Sequence, residues 1–368
     1  MRILITGGAG FVGSSLALAF RREHPDARVV AFDSLRRRGS ERKLGLLRRH
    51  GVDFVHGDVR QPEDLEALDG GFDVVIDAAA EPSVRAGSDG APGYVLATNL
   101  LGTLHCLEFC RRRAGHLIFL STSRVYSIES LRALPLEERA TRFELSPGPP
   151  PRRPGVGAPA AALPGVSPHG LAEAFPTDRA RSFYGASKLA AELLVQEYAA
   201  GAGVSALVDR CGVIAGPGQL GREDQGVFSL WVARHHFGRP LRYTGFGGAG
   251  KQVRDLLHPE DLFELLLRQL PAIDAHRGAV FNVGGGPAGS TSLREWNAIC
   301  TELCGRAVEP AADPATHPVD VPYYVSDHRR ASAAFDWKPR RGPPEIAADV
   351  LAWLRAGEDE LRDLFVDP

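Results

Sequence analysis

Tyr184 and Lys188 stand four residues apart in the stretch FYGASK, which runs on as LAAELLVQEYAA. That continuation has helical composition, so the two side chains share one helix face. A phenol with an ordinary pKa near ~10 is a poor base at neutral pH. An ammonium one turn away stabilises the phenolate and lowers that pKa. Upstream, Ser121–Thr122–Ser123 follows the apolar run from His116 to Leu120. A hydroxyl at a strand end, such as that of Thr122, can hydrogen-bond the same substrate hydroxyl that Tyr184 deprotonates. These types and spacings suit proton removal from an alcohol whose carbon gives up a hydride.

The hydride acceptor has a site of its own at the start of the chain, MRILITGGAGFVG. Arg2 to Thr6 reads as a short buried strand, and an apolar-periodic helix is expected from Phe11 to about Phe20. Gly7, Gly10 and Gly13 fall between and just inside them. Gly7 allows the tight turn, Gly10 lets backbone approach a pyrophosphate, and Gly13 permits close helix packing. The helix N-terminus offers free N–H groups to the phosphates. A second apolar strand, Arg28 to Phe32, ends at Asp33, where a carboxylate can accept ribose hydroxyls. Arg36–Arg37–Arg38 follows. A 2′-phosphate would prefer arginine to Asp33, so NAD ranks first and NADP second.

The elements that position these groups alternate. A third strand, Val52 to His56, leads to Gly57–Asp58, and Asp58 can reach an adenine. A fourth, Phe72 to Asp77, runs into Ala78, Ala79 and Ala80, small residues that let a cofactor lie against backbone. A helix from Val95 to Arg111 carries Asn99. Strands alternating with helices imply a parallel α/β sheet with right-handed crossovers. Residues 127 to about 180 break the rhythm, and Leu145 to Pro164 is too rich in proline and glycine for a packed element. Such a loop is expected to be a lid near the site.

The bulk numbers narrow the class. A chain of 368 residues holds two domains or one large domain with a lobe. A net charge of −2 makes no electrostatic case for nucleic acid or an anionic membrane. No apolar run approaches a membrane span, and the first strand begins at residue 2, so a cytoplasmic location is expected. The five cysteines, Cys106, Cys110, Cys211, Cys300 and Cys304, read as small buried hydrophobes, with no metal cluster around them.

The glycine triplet, the Ser/Thr strand end and YGASK together resemble the extended short-chain dehydrogenase/reductase family. The resemblance covers nearly the whole chain except the Pro-rich insert. It implies a Rossmann doubly wound parallel sheet over 1–215, with the insert at 127–180. A smaller nucleotide-sugar lobe is implied over 216–368, the chain crossing between the two. It also implies that Thr122, Tyr184 and Lys188 form the catalytic set. NAD would be held by Gly7, Gly10, Phe11, Val12, Gly13, Asp33, Asp58, Val59, Ala78, Ala79, Ala80, Asn99, Tyr184, Lys188 and Cys211. The stretch Asp209–Gly212 is expected as a loop near the nicotinamide. In the C-terminal part, GPGQLGREDQGVF and GKQVRDLLH resemble the nucleotide-sugar lobe of the epimerase branch. Ser123, Arg124, Gln225, Lys251, Arg254 and His258 would contact the substrate, with Arg254 on the diphosphate. The alternative for Arg254 is an ion pair with Asp255. The segment VSDHRRASAAFDWKP resembles the family's closing helix. LSTSRVYS, RCGVIAGPGQLGREDQG and GKQVRDLLHPEDL are similar to the CDP-paratose (CDP-tyvelose) 2-epimerases in particular. One departure stands out: many relatives carry His where this chain has Asp77.

A 4,6-dehydratase of this family would need an Asp-Glu pair after the Ser/Thr, and here Ser123–Arg124 follows Thr122. The expectation is therefore an NAD-dependent epimerase acting at C2 of a nucleotide sugar, a CDP-sugar first. The alternatives are a UDP-sugar 4-epimerase, an NAD(P)H-dependent reductase, and a cofactor-sensing protein without activity. A homodimer is expected through the Val95 and Tyr184 helices.

Overall fold

The computed structural model describes residues 1–88, 90–146 and 163–366. Five apolar segments near the N-terminus form adjacent strands of one sheet. They are β1 (Arg2–Thr6), β2 (Arg28–Asp33), β3 (Asp53–His56), β4 (Val74–Asp77) and β5 (His116–Thr122). Helix α1 (Phe11–Glu23) connects β1 to β2 and runs three residues beyond the expected Phe20. The segment expected as one helix around Asn99 is helical from Gly93, with a π turn at Ala97–Leu101 opening into α2 (Gly102–Arg113).

Helix α3 (Phe183–Gly201) leads to β6 (Ser205–Cys211) and a short β7 (Val213–Ile214). The lobe then begins with α4 (Val227–Phe237), β8 (Arg242–Thr244) and β9 (Val253–Leu257). The chain returns to the first sheet through α5 (Pro259–Gln269) and β10 (Val280–Val283). It goes back to the lobe with β11 (Ser290–Ser292), α6 (Leu293–Cys304), β12 (Ala311–Asp313) and β13 (Tyr323–Tyr324). Helices α7 (Arg329–Phe335), α8 (Pro343–Ala356) and α9 (Glu358–Val366) close the chain.

The main sheet has seven strands in the order β10-β6-β5-β4-β1-β2-β3, every pair parallel. The order reverses between β1 and β4, which leaves a crevice at their carboxyl ends. Asp209–Cys211, expected in a loop, are the last residues of β6, paired with Leu120–Thr122 of β5. On one side of the sheet, Ile3, Ile5 and Val29 share a core with Leu16 and Phe20 of α1 and Phe263 of α5. The other side buries Leu107, Phe109, Ala191 and Val195 of α2 and α3. Each such large side chain contributes about 1.5–3 kcal/mol on burial. The rings of Phe20 and Phe263, 5.0 Å apart and edge to face, fasten α5 to α1.

The lobe has its own core of Trp231, Trp296, Val350 and Leu354, and a small sheet in which β9 pairs with β7, β11 and β13. Within 127–180, the described residues form a short helix, Ile128–Arg132, and two small hairpins. Leu131, Leu171 and Phe175 pack there against Val253 and Tyr324. The expected lid falls largely on 147–162, which lie outside the described residues, and no described residue of 127–180 lines either cleft discussed below. No described helix is long and apolar enough to cross a membrane.

Candidate active site

Two adjoining clefts open at the carboxyl ends of the main-sheet strands, of about 470 and 480 Å³. The first is built from consecutive strand–loop junctions. Gly7, Gly10, Phe11, Val12 and Gly13 line it from the β1–α1 loop. Gly7 adopts φ +61°, and a Cβ on Gly13 would lie 2.1 Å from the Gly7 carbonyl oxygen, so the loop can close only without side chains there. Gly10 caps α1 without a side-chain acceptor, which leaves the first helical N–H groups for a ligand. Asp33 accepts from the backbone N–H of Ala9 at 3.0 Å and of Leu35 at 2.8 Å. Burial raises its pKa and these two donors oppose that. Each carboxylate oxygen keeps a lone pair for a ribose hydroxyl.

Asp58 and Val59 line the same cleft, with Asp58 held by Arg60. Ala78, Ala79 and Ala80 form its wall, and Ala78 and Ala80 face both clefts. Asn99 lies elsewhere: it is fully buried, accepts from the Glu81 N–H at 2.8 Å and donates to Ser187 at 3.1 Å. It props the loop after β4 and does not line the cleft, because its amide is spent on protein partners. Lys43 and Arg37 also line this cleft. Burial lowers both, Lys43 to about 8. No spacing in the sequence points Lys43 at this cleft, which it reaches through the fold of the β2–β3 connection. Free helix N–H groups, a carboxylate and desolvated cations make a donor set that fits a dinucleotide.

The second cleft collects Thr122, Tyr184, Lys188 and Cys211 at one end. Ser182 caps α3 through its hydroxyl, and a Cβ on Gly185 would stand 2.1 Å from the Arg124 carbonyl oxygen. Gly185 therefore lets the first turn of α3 press on the turn after β5, which brings Tyr184 beside Thr122. Burial raises the Tyr184 pKa, while a hydrogen bond with Thr122 and the charge of Arg124 lower it. Burial lowers the Lys188 pKa, against the charge of Asp77. The Cys211 thiol is pushed up by burial, so it stays protonated.

Ser123, Arg124, Gln225 and Arg254 line the rest of the cleft, with Gln225 shared by both. Arg254 pairs with Asp320 at 3.0 Å and with the Val321 carbonyl at 2.8 Å, not with Asp255. Burial, and next the charge of Arg124, bring its pKa down to about 10. Two partly buried guanidiniums close enough to repel each other make a place for an anion.

Lys251 and His258 lie apart from this group. Lys251 binds Glu138 at 2.8 Å and so ties down a hairpin of the insert. Strand alternation explains it: Gln252 and Arg254 face the cleft, and Lys251 and Val253 do not. His258 is buried, and its Nδ1 accepts from the Glu260 N–H at 3.1 Å as the N-cap of α5. The run His-Pro-Glu-Asp, with Pro at the first helical position, is the sequence signal for that cap. Trp231, Arg234, Arg242, Gln252, Asp313 and Asp320, all unanticipated, also line this cleft.

The chain matches the NAD dependent epimerase/dehydratase family over residues 3–153 and 159–284. A CDP-paratose 2-epimerase of Salmonella typhi is 30% identical over 367 residues, 96% of this chain and 99% of that protein. A dTDP-glucose 4,6-dehydratase of Mycobacterium tuberculosis is 31% identical over 263 residues, 71% of this chain and 66% of that one. Among solved structures, Thermus thermophilus UDP-glucose 4-epimerase, in complex with NAD, superposes with a TM-score of 0.72 at 26% identity. That match covers 96% of this chain and 99% of the other. With a family match over most of its length and a cleft suited to a dinucleotide, the chain belongs to the NAD-dependent epimerase/dehydratase family.

Proposed function

We propose that this protein is an epimerase that inverts C2 of a nucleotide-activated sugar, a CDP-sugar of the paratose/tyvelose type. The observation that carries the reading is the meeting of Thr122, Tyr184 and Lys188 in one cleft with two partly buried arginines, Arg124 and Arg254. Ser123–Arg124 follows Thr122, so the acid pair needed to eliminate water is missing from that turn. The likeness to the Salmonella typhi protein, over nearly the full length of both, supports the CDP-sugar and C2.

Tyr184 takes the proton of the C2 hydroxyl, and Thr122 holds that hydroxyl in line through its own O–H. The Lys188 ammonium and the Arg124 guanidinium favour the phenolate against the cost of its burial. Arg254 and Arg124 hold the diphosphate and so fix which sugar carbon reaches Tyr184. The glycine loop, Asp33 and the alanine wall would hold NAD, which when bound would supply the acceptor and then the donor of the C2 hydride. Tyr184 then gives the proton back to the inverted alcohol, and no cofactor is consumed.

A substrate deuterated at C2, turned over in ordinary water, tests this. The product is expected to keep its deuterium at C2. Washout of the label would point to removal of C2 as a proton and would end the redox reading.

The homodimer is a proposal of the same kind. Tyr94, Leu96 and Leu101 around the π turn are exposed, as are Phe183 and Leu193 of α3, with Leu193 58% exposed. Together they form an apolar face on two neighbouring helical segments, suited to a second copy. Leu193→Asp is expected to sediment as a monomer at concentrations where the unaltered protein is a dimer.

A further inference from the structure

Charge around Lys188 is balanced unevenly. Its ammonium sits 3.9 Å from the centroid of the Phe119 ring, and the residue is 1% exposed. Phe119 lies in register with Asp77 on the neighbouring strand, and Asp77 in register with Thr6. All three side chains therefore rise from the same side of the sheet, beneath α2 and α3. Asp77 is also 1% exposed. Its Oδ1 accepts from the Thr6 hydroxyl at 2.7 Å and its Oδ2 from the Thr103 hydroxyl at 2.8 Å. Both donors are neutral, so they solvate the carboxylate without cancelling its charge.

The other groups facing Lys188 leave little negative charge. Glu192, one turn along α3, is held by Arg210 through Nε at 3.0 Å and a terminal nitrogen at 2.7 Å. The thiols of Cys106 on α2 and Cys211 on β6 are pushed up by burial and stay neutral. Tyr184 lies one turn back. Of the charges acting on Lys188, that of Asp77 is the largest.

We propose that Asp77 is the counter-charge that keeps Lys188 an ammonium beside Tyr184, a positioning residue acting through Lys188. The inference rests on the reading of Tyr184 as the base. Its sign is plain. Without Asp77 the lysine loses its proton at lower pH, and the phenolate loses its neighbouring cation.

Asp77→Asn removes the charge and keeps the shape. The Thr103 hydroxyl has one hydrogen and two acceptors in reach, Asp77 Oδ2 and the Asn99 carbonyl at 3.1 Å. With Asn present it donates to Asn99 and accepts from the new amide, while Thr6 still donates to the amide oxygen. Thr103→Val serves as the control, because it loses a hydrogen bond at the same place but keeps the charge. The readouts are the phenolate absorbance of Tyr184 against pH, taken as the difference from Tyr184→Phe, and the pH profile of kcat, with bound NAD measured in each variant. In Asp77→Asn the Tyr184 ionisation is expected about one unit higher, and the alkaline limb of kcat about one unit lower, each a tenfold change in proton affinity. Bound NAD is expected to be unchanged, and Thr103→Val to leave both curves in place. Coincident curves for Asp77→Asn and the unaltered protein would overturn the proposal, as would an equal shift in Thr103→Val. If Asp77→Asn does not fold, Asp77→Ser repeats the loss of charge with less bulk. A shifted phenolate titration in a protein that epimerises no sugar would keep Asp77 in this role and discard the substrate reading.

Discussion

The two clefts are built by opposite routes. The cofactor cleft takes its glycines, Asp33, Asp58 and the alanine wall from consecutive strand ends of one sheet, β1 to β4. The second cleft draws Thr122 from β5, Tyr184 and Lys188 from α3, Trp231 from α4, Arg254 from β9, and Asp313 and Asp320 from late in the chain. The first is a local construction repeated at each turn, and the second exists only where the lobe meets the sheet. The difference predicts that substrate affinity and cofactor retention can be broken separately.

The largest separation is expected at the chemical end. Tyr184→Phe removes the proposed proton acceptor and should lower kcat by about 10²–10⁴-fold. Bound NAD, measured in the denatured extract, should stay at the level of the unaltered protein. Arg254→Gln comes next. If Arg254 holds the diphosphate as proposed, this removes a charged donor worth about 1.5–3 kcal/mol, so KM should rise about tenfold to a hundredfold with NAD again unchanged. An equal fall in NAD content would mean that the two clefts are one cooperative unit. The smallest effect is expected at Lys251→Ala. Its ion pair with an exposed Glu138 contributes about 0–1 kcal/mol to stability, and KM should not move. A rise in KM there would return Lys251 to the substrate.

What the sequence revealed follows the same division. Gly7, Gly10, Gly13 and Asp33 were legible because their partners lie within one strand–helix–strand unit. Tyr184 and Lys188 were legible because helical spacing fixes their common face. Arg254 lines the cleft and Lys251 of the same motif does not, because the strand alternates and the motif gives no phase. His258 caps α5, a role that its place beside the motif does not separate from contact with substrate. The buried pair of Glu192 with Arg210, where Arg210 had been expected in a loop, depends on β6 and α3 meeting across the sheet. The same holds for Asp320 against Arg254: contacts so distant in the chain leave no periodic trace.

The proposed reaction is inversion at a single sugar carbon with NAD retained. The most direct test is a panel of CDP-, UDP- and GDP-sugars incubated with the purified protein without added cofactor and followed by NMR. Inversion at C2 of a CDP-sugar, with no NADH released, is the predicted result. Inversion at C4 of a UDP-sugar, or change only when NAD(P)H is supplied in stoichiometric amounts, would contradict it.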